Sequence, residues 1–245
     1  MNQAEQDVAF SPNSHDRRPV LVTFSGIDGA GKTTQIDALL AWLHDSGIRV
    51  RILRFWDDIA VLGSLREAMS HGLLKSETGV GSPHKPVQRR DKNVRAWYMT
   101  LARHFLYCLD AVHLGMMSVT ASRRNTDVII FDRYLYDELA NLDLGNPVSR
   151  IYAYLLLKFV PSPDVAFLLD ADPVQARTRK PEYPLDFLHT NRASYLALSA
   201  LAGGMTVIAP QAAEEVTHTV LQEVGTALGR NPAVGLSRRQ PSVCP

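Results

Sequence analysis

The stretch FSGIDGAGKTTQ, Phe24 to Gln35, holds the densest chemistry in the chain. Gly26, Gly29 and Gly31 permit backbone angles that a side chain would forbid, so successive N–H groups can converge on an anion. Lys32 adds a point charge for β- and γ-phosphates, and the Thr33 hydroxyl is placed to ligate Mg²⁺. The full pattern G-x-x-x-x-G-K-[ST] is met by Gly26, Ile27, Asp28, Gly29, Ala30, Gly31, Lys32 and Thr33, with Thr34 next in line. An incidental glycine-rich turn would satisfy the pattern too, but context argues against it. The apolar RPVLVTFSG precedes the loop, and the following segment repeats Ile36, Leu39, Leu40 and Leu43 at helical spacing until Gly47. Strand, glycine loop and helix N-terminus thus stand in the order that aims a helix dipole at phosphate. The unusual member is Asp28, an acid beside a polyphosphate, where it costs electrostatic energy.

Two further places carry cations and acids in a useful arrangement. In IIFDRYLYDELAN, Asp132 and Arg133 follow an apolar run, so both emerge where a strand ends. Asp132 could hold the Mg²⁺ hydration shell and Arg133 could clamp a phosphate through its planar fork, although an Asp–Arg pair capping a helix reads the same way. In QARTRKPEYP, Arg177, Arg179 and Lys180 crowd together beside prolines. Cations on a mobile flap can close over ATP and neutralise developing charge, and the plainer reading is a solvated basic face.

These groups need a scaffold. Strand-like segments at 49–55, 127–132, 164–172 and 205–210 join the one before the loop, and helical stretches separate them at about 95–121, 134–142, 148–159, 185–202 and 212–228. LGSLREAMSHG adds a helical segment after the second strand. Short apolar strands alternating with helices predict an α/β fold: three layers, a five-stranded parallel sheet flanked by helices, and ligands at the C-terminal strand ends. The polar termini, 1–18 and 230–245, read as disordered tails around one domain, 19–229. Residues 75–93 read as a polar loop, either surface or lid, and His71 and His84 have no metal-ligand spacing.

The 245 residues carry 26 Lys+Arg against 25 Asp+Glu, which gives no electrostatic case for a nucleic-acid or membrane partner. Cys108 and Cys244 make no disulfide framework, no apolar run approaches a membrane span and no signal-peptide core is present. A cytoplasmic protein is expected. A GTPase would need N-K-x-D, which is absent, and a motor or transporter ATPase would need coupling elements. A small-molecule kinase needs only a donor site, an acceptor pocket and cations around the transferred group.

GIDGAGKTT, LGSLREAM, LYCLDAVH, VIIFDRY and the Arg-rich segment, in that order, resemble the thymidylate kinase family over most of residues 20–210. The resemblance implies a five-stranded parallel sheet, a homodimer, MgATP as donor and dTMP as acceptor, giving dTDP and ADP. It further implies that Asp28 contacts the acceptor 3′-hydroxyl, that Arg66 and Arg133 reach its phosphate, and that Tyr107 stacks on its base. The chain departs from the family where the base is read. RFWDDIAVLG replaces a Pro-Gly-Gly-Thr-like turn, Ala111 stands where an arginine is usual, and Asp137, Asn141 and Leu142 replace a serine and a tyrosine–glutamine pair. Arg103, one turn before Tyr107 on a neighbouring face, is a candidate to substitute for that arginine. A kinase of another small acceptor or nucleoside, and a nucleotide-binding regulatory module without transfer, remain alternative readings.

Overall fold

The computed structural model describes residues 18–60, 97–122 and 125–229, with side chains of the long second helix described from His104 onward. Five strands form one parallel sheet: β1 (Val20–Ser25), β2 (Val50–Arg54), β3 (Val128–Asp132), β4 (Val165–Leu169) and β5 (Met205–Ile208), in the order β2-β3-β1-β4-β5. The helices are α1 (Lys32–Asp45), α2 (Trp97–Ser122), α3 (Leu135–Leu139), α4 (Pro147–Phe159), α5 (Pro173–Arg179), α6 (Leu185–Ala202) and α7 (Ala213–Ala227). This is the α/β arrangement of a phosphate-loop kinase fold.

The near-continuous apolar strands follow from burial on both faces. Side chains alternate along β1, β3 and β4, so each strand feeds two cores. Leu21, Ile129, Phe131 and Leu168 join one core with side chains of α2, α3, α4 and α6. Val22, Phe24, Ile130 and Phe167 join the other, with α1 and α7. Register sets the working edge: Phe24 of β1 lies beside Asp132 of β3, and Arg54 of β2 lies on its other side. The phosphate loop, the Asp132–Tyr134 turn and the segment after β2 therefore leave the sheet together.

Three local differences from the sequence expectations have identifiable causes. Arg177 and Arg179 of the basic run lie on a short helix with Lys180 just past its end, because Asp172 caps it by accepting from Gln175 N–H at 2.9 Å and Pro173 supplies a preset first turn. The second strand stops at Arg54, and Phe55–Ile59 forms a π turn whose start is fixed by Arg54 N–H donating to Asp58. Finally, His104–Ser122 within α2 is long and apolar enough to cross a membrane by length and composition, contrary to the reading that no run approached that length. Asp110, His113 and Ser118 interrupt the apolar letters, yet the average over the helix remains apolar.

The expected tails lie outside the described residues apart from Arg18, as do the LGSLREAMSHG segment, Arg66, His71, the 75–93 loop, His84 and Cys244.

Candidate active site

The phosphate loop spans from the end of β1 to the first turn of α1, with Gly31 as the N-cap at φ 93°. Its glycines are required for different reasons. A Cβ on Gly26 would lie 2.5 Å from the Leu169 carbonyl oxygen, and one on Gly29 would lie 2.3 Å from that of Ala176. Gly31 meets nothing within 4 Å, so its requirement is the left-handed backbone alone, and the space beside it is open. Lys32 is 7% exposed, and its ammonium donates to the carbonyls of Gly26 at 2.6 Å and Ile27 at 3.0 Å. Thr33 and Thr34 are exposed on the first turn.

The acid in the loop has partners. Arg133, 105 residues away in sequence, donates from Nη2 to Asp28 Oδ1 at 2.5 Å. Side-chain exposures of 19% and 10% make this a largely buried pair. Burial works against the Arg133 charge, but the carboxylates of Asp28 and Asp137 outweigh it and raise the guanidinium pKa. Arg133 adopts φ 71°, in the left-handed region that residues other than glycine rarely enter. A second cation reaches the same acid: Lys180 Nζ lies 3.8 Å from Asp28 Oδ1 and 3.3 Å from Glu182 Oε1.

Around this pair sits a buried polar knot. Asp137, 3% exposed, accepts from Ser25 Oγ at 2.7 Å, Tyr134 N–H at 3.0 Å and the Tyr195 hydroxyl at 2.8 Å. Tyr195 has its pKa pushed well up, by burial first and then by the Asp137 charge, so its hydroxyl is a donor. Burial alone lifts Tyr136 to about 12.

The structure brings Asp28, Lys32 and Arg133 together, with Asp132 half-buried at the adjoining end of β3. Arg177 is half-buried and Arg179 exposed on α5, the latter donating to the Gln175 carbonyl at 3.4 Å. Tyr107, on α2, is 4% exposed and joins the core that α2 shares with α3. Ala111 and Leu142, at 1% and 6% exposure, belong to the same core and offer no polar group. Glu182 and Tyr195 were not singled out from sequence, Lys180 only as part of the basic run and Asp137 only as a departure from the family pattern. For Lys180 the signal was present in the basic run; for Tyr195 and Glu182 no local pattern marks them.

No protein-family profile matches the chain. It is similar to the thymidylate kinase of Bifidobacterium longum subsp. infantis, 25% identical over 226 residues that cover 87% of this chain and 89% of that protein. It is also similar to the "Probable thymidylate kinase" of Pyrococcus abyssi, 29% identical over 211 residues covering 82% and 93%. The thymidylate kinase of Prochlorococcus marinus is 28% identical over 162 residues, covering 65% and 69%. These similarities run along most of the chain and support the family resemblance that its motifs carry.

Proposed function

We propose that this chain is an ATP-dependent phosphotransferase acting on a nucleoside monophosphate, with dTMP as the first acceptor to test. The observation that carries the reading is the Asp28–Arg133 pair at 2.5 Å inside a phosphate loop, in a chain similar to thymidylate kinases. A loop built only to bind a polyphosphate gains nothing from an acid. An acid that meets a buried arginine and the segment after β4 makes a second site beside the first, with a hydroxyl acceptor and a phosphate clamp in contact.

In this reading the loop amides from Gly26 to Thr34 and Lys32 hold the donor. Lys32 leaves the Gly26 and Ile27 carbonyls to do so. Asp28, Arg66, Tyr107 and Arg133 position the acceptor, and Arg177, Arg179 and Lys180 close over the transferring group. The donor set fits Mg²⁺: a hydroxyl from Thr33 and a carboxylate from Asp132 are hard oxygen ligands, and Mg²⁺ takes only one or two from protein beside phosphates and water. Bound there, the ion would offset charge on the phosphate oxygens. The residues themselves orient and neutralise; little covalent chemistry is asked of them.

A second reading, another small phosphate acceptor, is favoured by Ala111 and Leu142, whose burial leaves those positions without a polar contact for a base edge. A coupled ADP-release assay with MgATP against dTMP, dUMP, dCMP, UMP, CMP, AMP, GMP and thymidine separates the two. Preferential turnover of dTMP is the expected result. Turnover of a different monophosphate keeps the phosphotransferase and replaces dTMP as its acceptor. No turnover on any of them, with ATP still bound, refutes the nucleoside-monophosphate reading and leaves a different acceptor or a binding module without transfer.

We further propose a homodimer. Phe105, Val112, Met116 and Val119 form an exposed apolar stripe on α2, and Val148, Ile151, Leu155 and Phe159 form another on α4. Spacings of seven, four and three residues, or three and four, place each set on one helix face, and contiguous apolar surface of that kind marks an interface.

A further inference from the structure

We propose that Asp137 is the positioning residue for Arg133: its buried carboxylate ties the turn carrying Arg133 to the root of the phosphate loop and to α6, and so aims the guanidinium at Asp28. The kinetic part of this proposal rests on the phosphotransferase reading above; the structural part does not.

Three elements meet on one carboxylate. Oδ2 accepts from Ser25 Oγ at 2.7 Å and from Tyr134 N–H at 3.0 Å, and Oδ1 accepts from the Tyr195 hydroxyl at 2.8 Å. Ser25 immediately precedes Gly26, Tyr134 immediately follows Arg133, and Tyr195 lies on the helix that follows the Lys180–Pro184 segment. A carboxylate at the third position of a short helix often reaches back to the backbone N–H before it, and capping α3 would explain the Tyr134 bond alone. It would not explain two side-chain hydroxyls gathered from β1 and α6.

The consequence falls on Arg133. Its φ of 71° must be imposed by its surroundings, because a side chain does not choose that region unaided. The Tyr134 N–H bond fixes the peptide on one side of it, and the Asp28 contact fixes its far end. The negative charge of Asp137 also favours the guanidinium without occupying it. Arg133 is therefore held from behind by one acid and paired in front with another. Its fork stays oriented at the junction of donor loop and acceptor site.

Asparagine at 137 preserves volume but substitutes an amide donor for one acceptor oxygen. With its oxygen kept on Ser25 and Tyr134, the amide faces the Tyr195 hydroxyl, which must turn from donor to acceptor, and the charge behind Arg133 is lost. The test is Asp137→Asn in the full chain, alone and in an Arg133→Ala background, with the acceptor that the panel identifies. The single substitution is expected to lower kcat/KM for the acceptor by about 10²-fold, as a misplaced positioning group does, while the ATP dissociation constant changes by less than about twofold. In the Arg133→Ala background the further loss is expected to stay below about threefold, since residues acting as one unit are not additive. Equal losses in both backgrounds would overturn the proposal. Tyr195→Phe removes one hydroxyl and keeps the ring, and it takes the place of Asp137→Asn in the same cycle should that variant not fold.

A crystal structure of the variant supplies the arm that needs no turnover. Arg133 leaving the left-handed region, or its guanidinium leaving Asp28, is the expected result; an unmoved Arg133 overturns the proposal. If the wild-type chain phosphorylates no nucleoside monophosphate, the functional reading falls by itself and this arm decides the role of Asp137.

Discussion

Gly29→Ala probes the contact between the phosphate loop and α5. A Cβ at this position would stand 2.3 Å from the Ala176 carbonyl oxygen and 3.0 Å from its carbon, both backbone atoms that cannot rotate away. Ordinary van der Waals contact begins near 3.4 Å, so either the loop or α5 must shift by about 1 Å. Gly29 also sits at φ 85°, which by itself costs an L-residue about 1–2 kcal/mol. Overlap in a packed site adds about 1–3 kcal/mol, for a total of about 2–5 kcal/mol. Gly31→Ala is the matched control, with φ 93° and nothing within 4 Å of the added carbon. It should lose only the backbone share of about 1–2 kcal/mol. Effects of glycine on the unfolded chain are alike for the two and cancel in the comparison. Urea unfolding at equal slope, or melting, reads the difference; each kcal/mol corresponds to about 2–4 °C for a chain of this size. Gly29→Ala should melt several degrees below Gly31→Ala. Equal midpoints would refute the reasoning, because they would mean that α5 does not rest on the loop.

Asp28→Asn leaves the buried Arg133 facing a neutral amide and should destabilise the fold by about 1–3 kcal/mol, while raising the acceptor KM at least about tenfold. Removing an acid from beside the polyphosphate should leave ATP binding unchanged or tighter, and calorimetry with MgATP that shows weaker binding would contradict the assignment. Lys180, unlike Arg179, lies within 3.8 Å of Asp28, so Lys180→Ala should reduce kcat by about tenfold and more than Arg179→Ala does; steady-state rates that rank them the other way would count against the reading of this segment as closing over the transferred group. Leu155→Glu places a charge on the exposed apolar face of α4 and should shift the chain from dimer to monomer in analytical ultracentrifugation, whereas Glu at the exposed His218 of α7 should not.

Local patterns made most of the scaffold legible. The apolar β-branched runs at 127–132 and 164–172 and the period of 185–202 depend on nothing beyond neighbours in sequence, and strands β3 and β4 and helix α6 lie within them. The phosphate loop was legible for the same reason: glycine, lysine and threonine do their work within eight consecutive residues. The helix Pro173–Arg179 was less so, because its basic letters drew the reading towards a flap while its cap, Asp172, lay just outside the run.

What tertiary structure decided is who meets whom at the strand ends. Asp28 and Arg133 are 105 residues apart, and only the placement of β3 beside β1 brings them to 2.5 Å. Ser25 and Asp137 are separated by 112 residues, and Asp137 and Tyr195 by 58. No periodicity or motif encodes such pairings. They follow from strand order, from register and from the low dielectric of the core, which makes an unpaired acid or hydroxyl too costly to leave alone. The sequence by itself determined that a phosphate loop would open onto α1 at the end of a buried strand. The parallel order β3-β1-β4 decided that the acid in that loop would face an arginine and a lysine, since parallel strands deliver all their C-terminal turns to one edge.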